Sequence, residues 1–206
     1  MDEKLKKINI FLDLDETLIY SIDIRRKRLI PSYIEKYKHH NFDNDFIVLE
    51  RPGLQPFLNW LFEHFNVAVW SAASPSYVDF IVKNIVTNSS RKVKHVLNSD
   101  DCDKSMDSYG DEHLKKLDML WEHKDYKDKF LGYGPANTVL LDDLCLNMRS
   151  QPENCVRIKK FLGKCDSVDD KELEKVKNKL IDIMTHYSKK KKIDKSPIRK
   201  KKVKND

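Results

Sequence analysis

The chain has 206 residues, a length suited to one domain of ordinary size or to one domain with a tail. Hydrophobic residues at 40% supply a core beneath a surface rich in charge, and no run of 18 or more apolar residues encodes a membrane-spanning helix. The charged start, Met1-Asp2-Glu3-Lys4-Leu5-Lys6-Lys7, lacks the apolar stretch of a secretory signal, so the expectation is an intracellular protein without membrane contact.

Ile8-Asn9-Ile10-Phe11-Leu12 is a short apolar run that ends on Asp13 and reads as a buried central strand. Residues 21–50 are polar and mixed, with Arg25-Arg26-Lys27-Arg28 and candidate short strands at Leu29-Ile30 and Phe46-Ile47-Val48-Leu49. This stretch reads as a small β insertion, closed by the turn Arg51-Pro52-Gly53. Apolar residues at 54, 57, 58, 61, 62 and 65 have helical spacing. Val67-Ala68-Val69-Trp70 is a second buried strand, ending at Ser71. Pro75 opens a helix whose apolar face carries Tyr77, Val78, Ile81, Val82 and Ile85. Val93–Leu97 reads as a strand, residues 100–110 as a polar connection, and Leu114, Leu117, Leu120 and Trp121 as one face of a helix. After the polar loop 122–137, Thr138-Val139-Leu140-Leu141 is a strand that ends on Asp142-Asp143. Cys155-Val156-Arg157-Ile158 is a further strand, and residues 173–187 form an amphipathic helix.

Alternating apolar strands and helices predict an α/β fold, with a mostly parallel sheet flanked by helices. Its polar punctuation at Asp13, Ser71 and Asp142 falls at strand C-terminal ends, the edge along which open α/β sheets bind ligands. Asp13 and Asp15, two residues apart at the mouth of a buried strand, are costly unless something positive binds between them. A divalent cation with a phosphate would satisfy that arrangement. The four cysteines (Cys102, Cys145, Cys155, Cys165) have no CxxC spacing and read as reduced thiols. His39-His40, the nearest approach to a ligand pair, reads as a solvated loop.

Asp13-Leu14-Asp15-Glu16-Thr17-Leu18, the Arg51-Pro52-Gly53 turn, the strand ending at Ser71 and the strand ending at Asp142-Asp143 occur in the order seen in the haloacid dehalogenase superfamily. Over roughly residues 8–160 the chain resembles its FCP/SCP-like (NLI-interacting-factor type) phosphatases, which dephosphorylate RNA polymerase II C-terminal repeats and related phosphoproteins. The resemblance implies a Rossmann-like fold without a large cap and an Mg²⁺-dependent reaction through an aspartyl-phosphate on Asp13. It implies Asp15 as general acid and base, and Ser71 and Thr17 near the phosphoryl group. Asp142 and Asp143 would hold Mg²⁺ with Asp13 and the backbone carbonyl at Asp15. The lysine that offsets the negative charge aligns with Lys115; Lys116, Lys92 and Lys94 are alternatives. Tyr20, Leu29, Ile30 and Phe46 of the insertion are candidates to line a peptide groove. Two other readings remain open at this point, a nucleic-acid end phosphatase and an inactive phosphopeptide-binding scaffold.

The net charge of +6 is uneven. Ten Lys or Arg and one acid, Asp194, lie between Lys189 and Lys204. Residues 1–188 are therefore expected to form the phosphatase domain, and 189–206 a disordered basic tail. The tail suits nuclear import, or weak contact with nucleic acid or another acidic partner.

Overall fold

The computed structural model of the chain describes residues 7–25, 31–105 and 114–194. Its centre is a five-stranded, all-parallel sheet. The first strand, β1 (Ile8–Leu12), is buried along its whole length, as a run of Ile, Phe and Leu requires. The insertion follows as β2 (Ile19–Asp23), a 3₁₀ turn at Ser32–Lys36, β3 (His39–Phe42) and β4 (Phe46–Glu50). Then come α1 (Leu54–His64), β5 (Phe65–Trp70), α2 (Pro75–Ile81) with a π turn at Val82–Val86, β6 (Val96–Leu97) and α3 (Ser99–Ser105). The remainder is α4 (Met119–Glu122), β7 (Thr138–Asp142), α5 (Cys145–Ser150), β8 (Cys155–Arg157) and α6 (Glu172–Asp194). The sheet order is β6-β5-β1-β7-β8. Among the described residues no helix is long and apolar enough to cross a membrane.

Alternation along β1 divides the core. Ile8, Ile10 and Leu12 face the side covered by α1, α2 and α6, where Leu58, Val78 and Val176 are buried. Phe11 faces the other side, against Trp70, Leu117, Leu120 and Phe130. At the N-terminal end of the sheet, the Asn66 side chain donates to Asn9 (3.0 Å) and Asn9 donates to Thr138 (3.4 Å), tying the ends of three adjacent strands.

β2, β4 and β3 form a separate antiparallel sheet, as a small insertion predicts. It begins at Ile19 rather than at residue 21. The β3–β4 turn places Asp43 (φ +48°) and Asn44 (φ +58°) in the left-handed region, which Asp and Asn tolerate. His39 and His40 lie on β3 and not on a loop; His40 Nε2 is 2.7 Å from Glu50 Oε1. The candidate strand at Leu29-Ile30 lies outside the described residues.

Four further expectations are revised. The strand over 93–97 is only Val96–Leu97, and the connection after it opens with α3. The helix expected from Leu114 is only Met119–Glu122, because the side chains of Asn147 in α5 and Gln151 just after it hold residues 115–117 in a non-helical course. The loop 122–137 is packed: Phe130 is buried with its ring 5.9 Å from Phe11, and Tyr126 beneath it donates to Asp101 (2.5 Å). Finally, α6 runs to Asp194, past the boundary expected at 188; residues 195–206 lie outside the described residues.

Candidate active site

β5, β1 and β7 are neighbours, so their C-terminal ends bring Ser71, Asp13 and Asp142-Asp143 to one edge. Asp13 is the first residue past β1, and its amide donates to the carbonyl of Leu141 on β7 (3.0 Å). Asp142 closes β7. Its Oδ1 accepts from the amide of Leu144 (2.7 Å), which fixes the carboxylate at the start of α5. Thr17 is fully buried, and its hydroxyl donates to Asp143 Oδ1 (3.0 Å), bridging the loop after β1 to the end of β7.

Lys115 enters from the segment before α4. Its amide donates to Asn147 Oδ1 (2.9 Å) and its carbonyl accepts from Gln151 Nε2 (2.6 Å), so α5 and the residue that follows it hold its backbone on both sides. Its ammonium, almost wholly buried, donates to Asp13 Oδ1 and to Asp142 Oδ2 (2.8 Å). Of the four lysines weighed from sequence, this is the one that meets the carboxylates. Lys116 points along a groove with Trp121 and Arg149, and Lys92 and Lys94 line a groove at the opposite end of β5.

Burial pushes the Asp13 carboxyl up to about 7; Lys115 pulls it down and the Asp142 charge pushes it up again. Burial also works against the Lys115 charge, but Asp13 and Asp142 together hold it above the ordinary lysine value, so it stays an ammonium. Asp15 does not join the acidic group. Its Oδ1 accepts from the Tyr77 hydroxyl (2.7 Å), and Tyr77 also meets Ser21. Burial raises the Asp15 carboxyl, with the Tyr77 hydrogen bond and Lys115 opposing. Burial and the Asp15 charge push the Tyr77 phenol well above its usual range, so it remains a donor. Ser71 is buried, with its Oγ accepting from the amide of Ala73 (3.1 Å).

One ligand atom from each of Asp13, Asp142 and Asp143 lies within 4.8 Å of the others, and all three residues are buried. An oxygen-only set with a single buried ammonium beside it fits a hard divalent cation such as Mg²⁺. The side chain of Asp15 is not part of this set.

Around the carboxylates lies a second group of residues that sequence reasoning passed over. The buried Arg51 guanidinium donates to the carbonyls of Thr17 (2.8 Å) and Lys159 (2.8 Å) and to both oxygens of Asp170 (3.1 and 2.9 Å). Lys160 meets Glu16 and reaches Asp143 Oδ2 at 3.3 Å. The sequence marks Arg51 as part of a turn and of the motif order that carries the resemblance, and Tyr77 only as part of an apolar helix face; nothing local marks Lys160 or Asp170. Of the insertion residues, Tyr20 packs over Gly163 with Leu49, and Phe46 packs against Phe42, Tyr77 and the Arg25 guanidinium.

The sequence model of the NLI interacting factor-like phosphatases matches residues 8–193. The chain belongs to that family. A CTD phosphatase-like protein of Invertebrate iridescent virus 6 is 37% identical over 179 residues, covering 84% of this chain and 96% of the relative. Its counterpart in Invertebrate iridescent virus 3 is 32% identical, over 86% and 97%. The ubiquitin-like domain-containing CTD phosphatase 1 of Danio rerio is 28% identical over 66% of this chain and 42% of its own length. Among solved structures, Fcp1, an essential RNA polymerase II CTD phosphatase, has a TM-score of 0.53 at 17% identity. The match covers 89% of this chain and 50% of Fcp1, and it confirms the parallel sheet flanked by helices for this family member.

Proposed function

We propose that the chain is an Mg²⁺-dependent phosphatase that transfers a phosphoryl group to Asp13 and then to water, acting on phosphoserine or phosphothreonine of a protein. The observation that carries this reading is the convergence of Asp13, Asp142 and Asp143 on one buried point with the Lys115 ammonium bound to the first two. One face of such a site can hold a cation while the Asp13 carboxylate attacks phosphorus.

In the first step a carboxylate oxygen of Asp13 forms a bond to phosphorus as the ester P–O bond breaks, and Asp15 gives its proton to the leaving oxygen. In the second, Asp15 takes a proton from water, whose oxygen attacks phosphorus and releases Asp13 and inorganic phosphate. Asp13, Asp142 and Asp143, with the carbonyl of Asp15, would hold Mg²⁺, which would supply neutralisation of the phosphoryl charge. Lys115 keeps Asp13 oriented and offsets its charge, Ser71 supplies a hydroxyl at the phosphoryl group, Thr17 holds Asp143 in place, and Tyr77 does the same for the Asp15 carboxyl.

Protein substrates are supported by the small size of the β insertion, which leaves the strand edge open to a chain. The names of the relatives favour RNA polymerase II C-terminal repeats among such substrates, and hence work in the nucleus. The test is a panel assay with Mg²⁺ on polymerase-repeat phosphopeptides, end-phosphorylated oligonucleotides and small phosphate esters. We expect turnover of phosphopeptides that EDTA silences, Mg²⁺ restores, and Asp13→Asn reduces by about 10³-fold or more. Near wild-type turnover by Asp13→Asn would end the mechanism, and faster turnover of oligonucleotide ends would move the substrate assignment to nucleic acid.

A further inference from the structure

The acidic edge holds Asp13, Asp15, Glu16, Asp142 and Asp143, and a phosphate dianion must approach it. Lys115 is spent on Asp13 and Asp142 and is buried against them. A second ammonium reaches the cluster from another direction. Lys160 Nζ lies 3.3 Å from Asp143 Oδ2, the oxygen that Thr17 does not use, and also meets the Glu16 carboxylate. The Lys160 side chain is 53% exposed, in contrast to Lys115. The two lysines therefore bracket the acids, one inside and one at the mouth.

The backbone that carries Lys160 is held to the site on both sides. The amide of Ile158 donates to the carbonyl of Asp142 (3.1 Å), the Lys159 carbonyl accepts from Arg51 (2.8 Å), and the amide of Phe161 donates to the carbonyl of Glu16 (2.6 Å). Glu16 itself sits at φ +59°, a left-handed conformation uncommon for a residue of its type and a frequent mark of functional loops. A fixed base with a four-carbon stem lets the ammonium move a few ångströms without moving the fold. Its present contact with Glu16 is half exposed, and exposed ion pairs are weak. Exchanging Glu16 for a doubly charged phosphate is thus favourable.

We infer that Lys160 is a second anion-binding residue of this site, which engages the substrate phosphate from the solvent side while Lys115 serves Asp13 from within. This rests on the phosphatase reading and adds to it a residue that sets affinity for the phosphate.

The test uses the full chain with Mg²⁺ and the variants Lys160→Ala and Lys160→Arg. Readouts are kcat and KM on p-nitrophenyl phosphate, inhibition by inorganic phosphate, and melting temperature. For Lys160→Ala, KM and the phosphate inhibition constant should each rise about tenfold, the loss falling mainly on KM, and Lys160→Arg should recover most of it. If both constants stay within about twofold of wild type while the melting temperature falls, Lys160 merely staples Asp143 and the inference is wrong. A wild type that turns over no ester at all would defeat the phosphatase reading separately. Calorimetric binding of inorganic phosphate with Mg²⁺ still decides in that case: equal affinity of wild type and Lys160→Ala overturns the inference, and weaker binding by the variant upholds it.

Discussion

At Asp13 the burial that shields the carboxyl from water also opposes its charge. The carboxyl ordinarily titrates near 3.8 and in the folded protein is raised to about 7. Between those values the native state keeps a proton that the unfolded chain has released. Stability from this group is therefore present at low pH and lost as pH rises through about 7 in the metal-free protein. Mg²⁺ works in the opposite sense, because it favours the carboxylate. In EDTA, the wild-type melting temperature should carry a downward component from about pH 4 to 7 that Asp13→Asn lacks. At about pH 8 the variant should melt higher by on the order of 5 °C, and Mg²⁺ should stabilise the wild type more than the variant. Thermal scans with identical pH profiles for the two proteins would show that Asp13 bears no such burden. The same residue shows what could be read in advance. Asp13, Ser71, Asp142 and Asp143 end apolar runs, so their place at one sheet edge follows from the strands. Lys160 and Glu16 are 144 positions apart, and no local pattern announces that they meet.

Between elements, the segment 158–170 binds the loop after β1 to the rest of the fold, and Arg51 is the centre of that junction. Its guanidinium is fully buried, forks onto Asp170 and caps two carbonyls, with the Phe161 ring beneath it at 5.5 Å. Arg51→Ala leaves the buried carbonyl of Thr17, the carbonyl of Lys159 and a carboxylate short of donors and should cost about 3–5 kcal/mol, a loss of roughly 10 °C in melting temperature. Arg51→Lys keeps the charge without the planar fork and should recover only part of that. An Arg51→Ala protein within about 1 kcal/mol of wild type in denaturant titration would remove this junction from the account. The same distinction, between bonds made locally and bonds made across the chain, explains which elements the sequence revealed. α1 has its apolar period and its own backbone hydrogen bonds, and it forms where expected. The apolar spacing from Leu114 to Trp121 looked equally helical. There, however, Asn147 takes the amide of Lys115 and Gln151 takes the amide of Leu117 and gives to the carbonyl of Lys115. Those partners belong to α5 and its C-terminal cap, so the first turn is drawn out of a helix and Lys115 is aimed at Asp13. The packing of the loop 122–137 is hidden from the sequence for a related reason: its charges are local, whereas the partners of Phe130 and Tyr133, Phe11 and His95, come from β1 and the approach to β6.

Over the whole molecule, α6 returns the end of the described chain to the core. Leu173, Val176 and Leu180 are buried, and Ile183, Met184 and Tyr187 pack against them. Lys177 lies over the Trp60 ring of α1 at 5.2 Å, and Lys179 donates to the carbonyl of Arg157 on β8 (3.3 Å). The helix therefore belongs to the folded domain, and the useful place to separate the basic tail from it is after Asp194. A chain ending there loses Lys195, Arg199, Lys200, Lys201, Lys202 and Lys204 but none of the apolar positions that face the core among the described residues. Its kcat on a small phosphate ester should equal that of the full chain, and its melting temperature should stay within about 1 °C, the range expected of changes that break no buried contact. Its affinity for a polyanion such as single-stranded DNA should fall, and the dependence of that affinity on salt should flatten, because fewer counterions are released per binding event. A chain ending before Leu173 instead strips three buried side chains from the main core and should not fold cooperatively. If removal of residues 195–206 lowers turnover of the small ester, the tail contributes to the catalytic edge. If it leaves the salt slope unchanged, the polyanion contact lies elsewhere on the surface.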